Sequence, residues 1–385
     1  MKILIVRAFP DILDPRHYNI QEAGLAKAFT RAGHECGIVL YNGKEKDTVE
    51  TIPVTCDETV RDITVYKLHG FNFFKNGIFP SLKKIVNKYD MIQVHEYDQI
   101  TSWLYYAWCK KPVAVYHGPY YHPFNKGYNF KCKVFDNTFL KIKRNKNVPC
   151  LTKSEAAAQT LKDKGFLDVT PVGVGLDMEN LEPVSTEDGK INSTESPYRL
   201  LYVGKLEERR NLFFLLEVFR KLLKKDSGFE LTIIGNGEKE YKEAFLKKAE
   251  SLIEEKKLHY MEKMTQIELG GVYQNSHLLV FPSNYEIFGM VLLEAVYYNL
   301  PIISSDNGGA DMLIRDEENG LIIPQFDSTL WAEKIYYLLR EPGVYQNIVK
   351  NLQNDDKSRL TWDGIVEKML NKYQAICEQR TAKKE

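Results

Sequence analysis

Long apolar runs are missing from this 385-residue chain, and no stretch approaches the ~20 consecutive apolar residues of a membrane-spanning helix. No secretory leader is expected either, since Lys2 is followed by only four apolar residues before Arg7. The six cysteines (Cys36, Cys56, Cys109, Cys132, Cys150, Cys377) are scattered and form no CxxC pair, which reads as a reduced compartment without a zinc site. An excess of one charge is also absent. Lys+Arg 52 balances Asp+Glu 52, so no global field favours nucleic acid, and attraction to phosphate or membrane must come from local clusters. No strand-like run opens into GxGxxG, which disfavours a dinucleotide oxidoreductase. The expectation from these absences is a cytoplasmic protein, at most peripheral on the inner face of the cell membrane.

What is present is an ordinary globular composition, 44% hydrophobic and 27% charged, on a chain too long for one compact core. Strand-like and helix-like runs alternate along both halves, which predicts two α/β domains. The first half opens with MKILIVRAF, an amphipathic helix over 20–32 and the strand-like GIVLY. Residues 44–66 alternate polar and β-branched side chains and pair at a sheet edge. Residues 69–86 mix aromatics with lysines, and a helical hairpin with packed aromatics is favoured there over a lipid-facing surface. DMIQVHEYD and KPVAVYHGP end in His95 and His117, at the strand edge where open α/β sheets bind ligands. Residues 125–147 are lysine-rich with interleaved aromatics. A solvated helical face explains them, and a basic surface held against anionic lipid is the second reading. The polar, proline-bounded stretch 179–197 reads as a linker.

The most informative stretch is 281–307, FPSNYEIFGMVLLEAVYYNLPIISSDN, which reads as strand, loop, helix and strand. A glycine at a helix start lets a ligand approach the backbone, and the free amides there favour an anion. Glu286 lies just before that start and Glu294 one to two turns inside, so both reach one pocket mouth. Carboxylates are poor phosphate ligands but good acceptors for sugar hydroxyls, so the pair suits a nucleotide sugar. The bland reading leaves Glu286 in a solvated loop and Glu294 on a wet helix face. Upstream, in GKLEERRNL, Lys205, Arg209 and Arg210 follow Gly204 at a strand end, where cations would neutralise a departing diphosphate. The GNG at 235–237 reads as a tight turn.

E-x-F-G-M-V-x-x-E-A followed by N-L-P-I-I-S-S resembles the signature of the glycosyltransferase family 4 enzymes, two glutamates separated by seven residues. G-K-L-x-x-x-R-N is similar to that family's G-R-L-x-x-x-K-G, with the charges kept and the residues exchanged. NIQEAGLAKAFTRAGHE resembles its first helix without the usual paired glycine. The resemblance implies an α/β chain of GT-B architecture, two Rossmann-like doubly wound parallel-sheet domains facing a cleft. The expected domains are 1–178 on the acceptor side and 198–360 for the nucleotide sugar, with a helix in 361–385 crossing back. It also implies retaining, metal-independent transfer of a hexose-type sugar, without cofactor, to a glycan or polyprenyl-linked acceptor in cell-surface polysaccharide synthesis, with UDP ahead of GDP. Lys205 and Arg210 would hold the diphosphate, together with Gly204 and the backbone of Phe288, Gly289, Met290 and Val291. Glu294 would meet the ribose, Glu286 and His117 the transferred sugar, and Met264 the base, while His95 lies on the acceptor side. A nucleotide-sugar epimerase of the same architecture and a non-catalytic sugar-nucleotide-binding protein are the alternatives.

Overall fold

The computed structural model describes residues 1–18, 20–184 and 197–381. Residues 185–196, most of the expected linker 179–197, lie outside the described residues, as does Asn19 at the end of the 11–19 loop. The chain divides into two compact units, Met1–Asp177 with Ser358–Glu385, and Met178–Lys357.

The first unit runs β1 (Lys2–Val6), α1 (Gln21–Arg31), β2 (Glu35–Tyr41), β3 (Thr48–Cys56), β4 (Thr59–Leu68), β5 (Phe71–Phe73), β6 (Asn76–Ile78), α2 (Leu82–Val86) and β7 (Met91–His95). It continues through α3 (Ile100–Trp108), β8 (Val113–His117), α4 (Lys126–Ile142), β9 (Cys150–Thr152), α5 (Glu155–Asp163) and β10 (Val169–Pro171). Its eight-stranded sheet has the order β10-β9-β8-β7-β1-β2-β4-β3, and only β3 runs antiparallel to its neighbour. A parallel strand covered on both faces buries every side chain, and KILIV of β1 and MIQVH of β7 do so almost completely. The strand order reverses between β1 and β7, which leaves a crevice at their carboxyl ends.

The second unit runs β11 (Tyr198–Val203), α6 (Leu212–Lys225), β12 (Phe229–Ile234), α7 (Lys239–Glu254), β13 (Leu258–Met261), α8 (Gln266–Gln274), β14 (Leu278–Phe281), α9 (Met290–Tyr297) and β15 (Ile302–Ser304). It closes with α10 (Ala310–Leu313), β16 (Gly320–Ile322), α11 (Ser328–Arg340) and α12 (Pro342–Asn354). All six strands are parallel, in the order β13-β12-β11-β14-β15-β16, and the reversal falls between β11 and β14.

One expectation is overturned. Residues 69–86 do not form a helical hairpin. β5 and β6 make a two-stranded antiparallel hairpin, and at its tip Phe74 and Lys75 take left-handed backbone angles of +47° and +60°. Phe71, Phe73 and Phe74 are exposed by 58, 51 and 82%. The physical reason is the short NFFKN turn, which reverses the chain within residues too few for a helix.

The last helix, α13 (Trp362–Thr381), belongs to the first unit. Its first residue sits over two glycines. A Cβ on Gly24 would lie 2.1 Å from the Trp362 indole nitrogen, and one on Gly175 would lie 2.4 Å from the Trp362 backbone nitrogen. Gly24 is therefore there for packing. Further along, Tyr373 stacks on Phe29 at 5.7 Å between centroids, and Arg31 holds Asp363 through two bonds of 2.9 and 3.0 Å. We predict that Gly24→Ala, which forces the indole off its seat, costs the first unit about 1–3 kcal/mol. The urea midpoint falls at unchanged slope, and an unaltered midpoint would show that Trp362 does not need this glycine.

Candidate functional site

In the second unit three strands end at one place. Gly204 follows β11, Gly235 follows β12 and Glu262 follows β13, and these ends line a cavity of about 590 Å³. Its wall needs glycine because the strand ends converge. A Cβ on Gly235 would lie 2.0 Å from the Gly204 carbonyl oxygen, and one on Gly237 would lie 1.9 Å from that of Leu206. The GNG sequence is thus more than a tight turn. Of the expected donor residues, Gly204, Lys205 and Met264 line this cavity, joined by Glu207, Glu238, Glu262 and Lys263. Lys205 and Lys263 are exposed in it and enter no ion pair among the described residues.

Arg210, Glu286, Phe288, Gly289, Met290, Val291 and Glu294 stand outside this lining, around the carboxyl end of β14. Glu286, 9% exposed, ion-pairs with Arg210 and lies 3.5 Å from Arg209. Arg209 also binds Glu207 at 2.7 Å and donates to the Tyr285 carbonyl at 2.8 Å. The loop carrying Glu286 is closed from the far side, where the Ser305 hydroxyl donates to the Ser283 carbonyl at 2.6 Å and the Gly308 amide donates to that of Glu286 at 3.2 Å. Gly309 permits this closure, since a Cβ there would lie 1.7 Å from the Phe288 carbonyl oxygen. Phe288 is buried beside it.

Gly289 caps α9 with a left-handed φ of +77°. The amides of Met290 and Val291 lie in the first turn, where no intrahelical acceptor is available. Inside the helix Glu294 is 3% exposed and accepts from the Tyr273 hydroxyl at 2.7 Å and from the Gln266 amide at 3.0 Å. Neither glutamate has the wet environment of the bland reading. A buried carboxylate of this kind is held by fixed donors, and so is oriented before any ligand arrives.

In the first unit, His95 and His117 end β7 and β8 as expected. Both are almost fully buried, and each meets a glutamate that the sequence reading did not single out. His95 Nδ1 lies 2.8 Å from Glu22 of α1, and Arg7 lies 3.3 Å from the same oxygen. His95 Nε2 lies 2.9 Å from the Gln93 amide nitrogen, and the Gln93 oxygen accepts from Tyr373 of α13. The tyrosine fixes the glutamine, the glutamine donates to Nε2, and the ring therefore carries its proton on Nδ1 toward Glu22.

His117 Nδ1 lies 2.5 Å from Glu96, which also accepts from the Gly118 amide at 3.1 Å and from Lys153 at 3.2 Å. Burial pushes the Glu96 carboxyl up, but Lys153 and His117 outweigh it and hold the group well below the usual carboxylate range. Glu96, Asp98 and His117 bring ligand-type atoms within 4.8 Å of one another. Lys153 contacts Glu96 and Lys131 contacts Asp98 at 2.8 Å, so ammonium groups already supply the positive charge there. Sequence reading missed Glu22 and Glu96 because their partners are 73 and 21 residues away, and the one local signal was at Glu96, a charged residue directly after a strand.

The comparisons follow from this geometry. Residues 184–355 match the family model described as glycosyl transferases group 1. An uncharacterized glycosyltransferase of Methanocaldococcus jannaschii is 29% identical over 182 residues, covering 46% of this chain and 45% of that protein. The D-inositol 3-phosphate glycosyltransferase of Salinispora tropica is 25% identical over 250 residues, 60% of this chain and 51% of that protein. The chain thus spans about half the length of these curated relatives. Among solved structures, sucrose-phosphate synthase from Thermosynechococcus elongatus superposes with a TM-score of 0.67 at 18% identity, over 98% of this chain and 99% of the other. Anabaena HepE in complex with UDP superposes with a TM-score of 0.70 at 14% identity, over 97 and 100%. The fold is GT-B. At these identities the structural likeness establishes architecture, and the sequence match lies in the half that holds the cavity and the two glutamates of the E-x7-E stretch.

The Glu22 group generates a pH prediction. Burial pushes its carboxyl up, while His95 and Arg7 outweigh that and bring it from 4.5 to about 2. A carboxyl held below its unfolded value stabilises the fold fully above pH 4.5, and that stabilisation is lost as pH falls toward 2. The contribution is on the order of 3 kcal/mol. Denaturation midpoints measured between pH 6 and 3 (about the carboxylate range,) should fall more steeply for the native protein than for Glu22→Gln. Parallel curves would remove Glu22 from the acid sensitivity.

Proposed function

We propose that this protein is a retaining glycosyltransferase of the family 4 type, which takes a hexose-type sugar from a nucleoside diphosphate carrier and needs no metal. The observation that carries the reading is the cavity at the ends of β11, β12 and β13, with two uncommitted ammonium groups, in the half that matches the group 1 model. A volume of about 590 Å³ lies within the ~300–1,000 Å³ range of small-ligand sites. Lys205 and Lys263 suit a diphosphate, and Met264 supplies an apolar wall for a base. Arg210, held by Glu286, adds positive charge, which Glu207 and Glu286 partly offset at rest. Glu286 and Glu294 present fixed carboxylate oxygens to hydroxyls. UDP is the favoured carrier, a reading supported by the UDP bound to HepE.

The test is thermal stabilisation by UDP, GDP, ADP and their sugars, followed by turnover with acceptors. A ligand of the folded state raises the melting temperature. Lys205→Ala removes one or two charge-assisted bonds of about 1.5–3 kcal/mol each, so turnover drops at least about tenfold. Stabilisation by no nucleotide sinks the reading. Interconversion of the nucleotide sugar with no acceptor present would make the protein an epimerase instead, and binding without turnover on any acceptor a sugar-nucleotide-binding protein.

A lipid-linked or polysaccharide acceptor at the cell membrane completes the proposal, and one surface favours it. On α4 the exposed residues Lys126, Phe130, Lys133, Val134 and Lys141 recur at helical spacing along one face. The β5–β6 hairpin, with its exposed phenylalanines, abuts the same segment as α4, since Asn76 accepts from the Ile100 amide at 2.9 Å while Lys131 reaches Asp98 at 2.8 Å. Interleaved lysines and exposed aromatics suit an anionic bilayer, at about 1 kcal/mol per cation. Vesicles containing phosphatidylserine should therefore retain the protein in sedimentation, and Phe74→Ser with Phe130→Ser should weaken retention at least about tenfold. Equal retention by neutral vesicles, or by the double variant, would remove the membrane surface.

A further inference from the structure

Two arginines reach the carboxylate of Glu286, and they are held differently. Both sit in one 3-10 turn, Glu208–Arg210, between β11 and α6, and every residue involved belongs to the second unit. Arg209 is bound to the Glu286 loop at both ends. Its carbonyl accepts from the Asn284 amide at 2.8 Å, and its guanidinium donates to the Tyr285 carbonyl at 2.8 Å. The same guanidinium lies 3.5 Å from Glu286 and 2.7 Å from Glu207. Arg210 meets the loop through side chains, Glu286 in an ion pair and the Ser283 hydroxyl at 3.5 Å. Its Nε is buried and makes no hydrogen bond among the described residues, while the Glu207 carboxylate, which lines the cavity, stands 3.7 Å away. A buried donor left unpaired is a standing cost, so Arg210 is only partly satisfied at rest.

The carboxylate is set for an exchange between the two. The Ile287 amide donates to one oxygen of Glu286 at 3.1 Å, and both guanidinium groups face the other. Arg209 needs to close by only about 0.6 Å to make a charge-assisted bond of ~2.9 Å. We propose that Arg209 is a positioning residue: it retains Glu286 when Arg210 turns to an incoming diphosphate, so that the carboxylate is never left buried without a cation. This rests on the glycosyltransferase reading for the diphosphate, but the hold of Arg209 on the loop does not. Arg209 suits the role because its backbone and side chain are fastened to Asn284 and Tyr285, whereas Arg210 can leave without unfastening either. Glu207 completes the set, two carboxylates against two guanidinium groups. Without Arg209, of these two groups Arg210 alone would serve both acids, and an anion would have to compete with them for it.

The experiment is calorimetric binding of UDP and of inorganic pyrophosphate to the full chain, native and with Arg209→Gln, Arg209→Lys, Glu286→Gln and the Arg209→Gln, Glu286→Gln pair. Arg209→Gln should weaken both ligands at least about tenfold, because Arg210 stays pinned to Glu286. Arg209→Lys keeps a cation beside Glu286 and should bind within about threefold of native. Glu286→Gln releases Arg210, so pyrophosphate binds at least as tightly as to the native protein, and adding Arg209→Gln then costs less than about twofold. A loss of the same size in both backgrounds, which a missing charge or a loosened loop would give, overturns the proposal. Full affinity in Arg209→Gln does so too. In the native protein the Nε resonance of Arg210 should move when pyrophosphate is added, and a resonance that stays in place overturns the exchange without recourse to any variant. Pyrophosphate binding in the expected pattern with no binding of UDP, GDP or ADP sinks the glycosyltransferase reading and leaves the exchange standing. UDP binding that ignores Arg209 does the reverse, and binding of neither ligand overturns both.

Discussion

A guanidinium set against a buried carboxylate is the constraint on which the second unit depends. Glu286 sits where the strand order reverses, and its charge is tolerable there because Arg210 and Arg209 come to it from the end of β11. Removal of Glu286 would leave Arg210 with only the more distant Glu207 at 3.7 Å, and removal of Arg210 would leave Glu286 with only Arg209 at 3.5 Å. The pair therefore ties the two strand ends at the switch point to one geometry. The closure of the 305–309 loop, the glycine at 309 and the left-handed cap at Gly289 follow from that geometry, since each makes room for the backbone that carries Glu286.

The first unit solves the same problem with imidazoles. Its strand order reverses between β1 and β7, and Arg7, Glu22, His95 and Glu96 gather at that edge. Parallel strands end with their amides and carbonyls unpaired at the edge, so polar side chains are needed there in any case. What distinguishes these clusters from ordinary satisfaction is ring chemistry. Glu22 and Glu96 each fix the proton of one histidine, but the other nitrogen of His95 is consumed by Gln93 at 2.9 Å, whereas that of His117 faces a hydroxyl at 3.5 Å. His95 is thus committed to joining β7 to α13 through Gln93 and Tyr373, and has little left for an acceptor.

Periodicity carried most of the fold. The strand, loop, helix and strand of 281–307 reappear as β14, α9 and β15, and the helix that starts at Leu212 ends at Lys225. Both follow from apolar spacing alone. The site was legible where residues near in sequence act together, as Gly204 with Lys205. It was not legible where pairing spans the fold: Arg210 is 76 residues from Glu286, and no pattern in either segment announces the other. The β5–β6 hairpin was misread because phenylalanine is counted as a core residue, and nothing local tells a packed ring from one left at a turn. The first helix lacks the paired glycine of the family it resembles, and the reason for its own Gly24, Trp362, lies at the other end of the chain.

A chain of zero net charge would be expected to show little preference for anions, yet the charge is sorted by depth and place. At the buried carboxylates Glu22, Glu96 and Asp98 a cation or imidazole supplies the compensating charge, whereas Glu294 is held by the neutral donors Tyr273 and Gln266. Uncommitted ammonium groups are instead surface groups, those on α4 and Lys205 and Lys263 in the cavity among them. Solvated lysines cost little to keep and lose little when an anion replaces water, whereas a buried arginine already bonded to a glutamate must first exchange partners. Under the proposed function, an anion would therefore be met first by Lys205 and Lys263, and Arg210 would join only as Glu286 turned to another donor. On that reading, a ligand that brought both a phosphate and a hydroxyl donor would satisfy Arg210 and Glu286 in the same step, which is the physical reason for proposing a sugar diphosphate over either half alone.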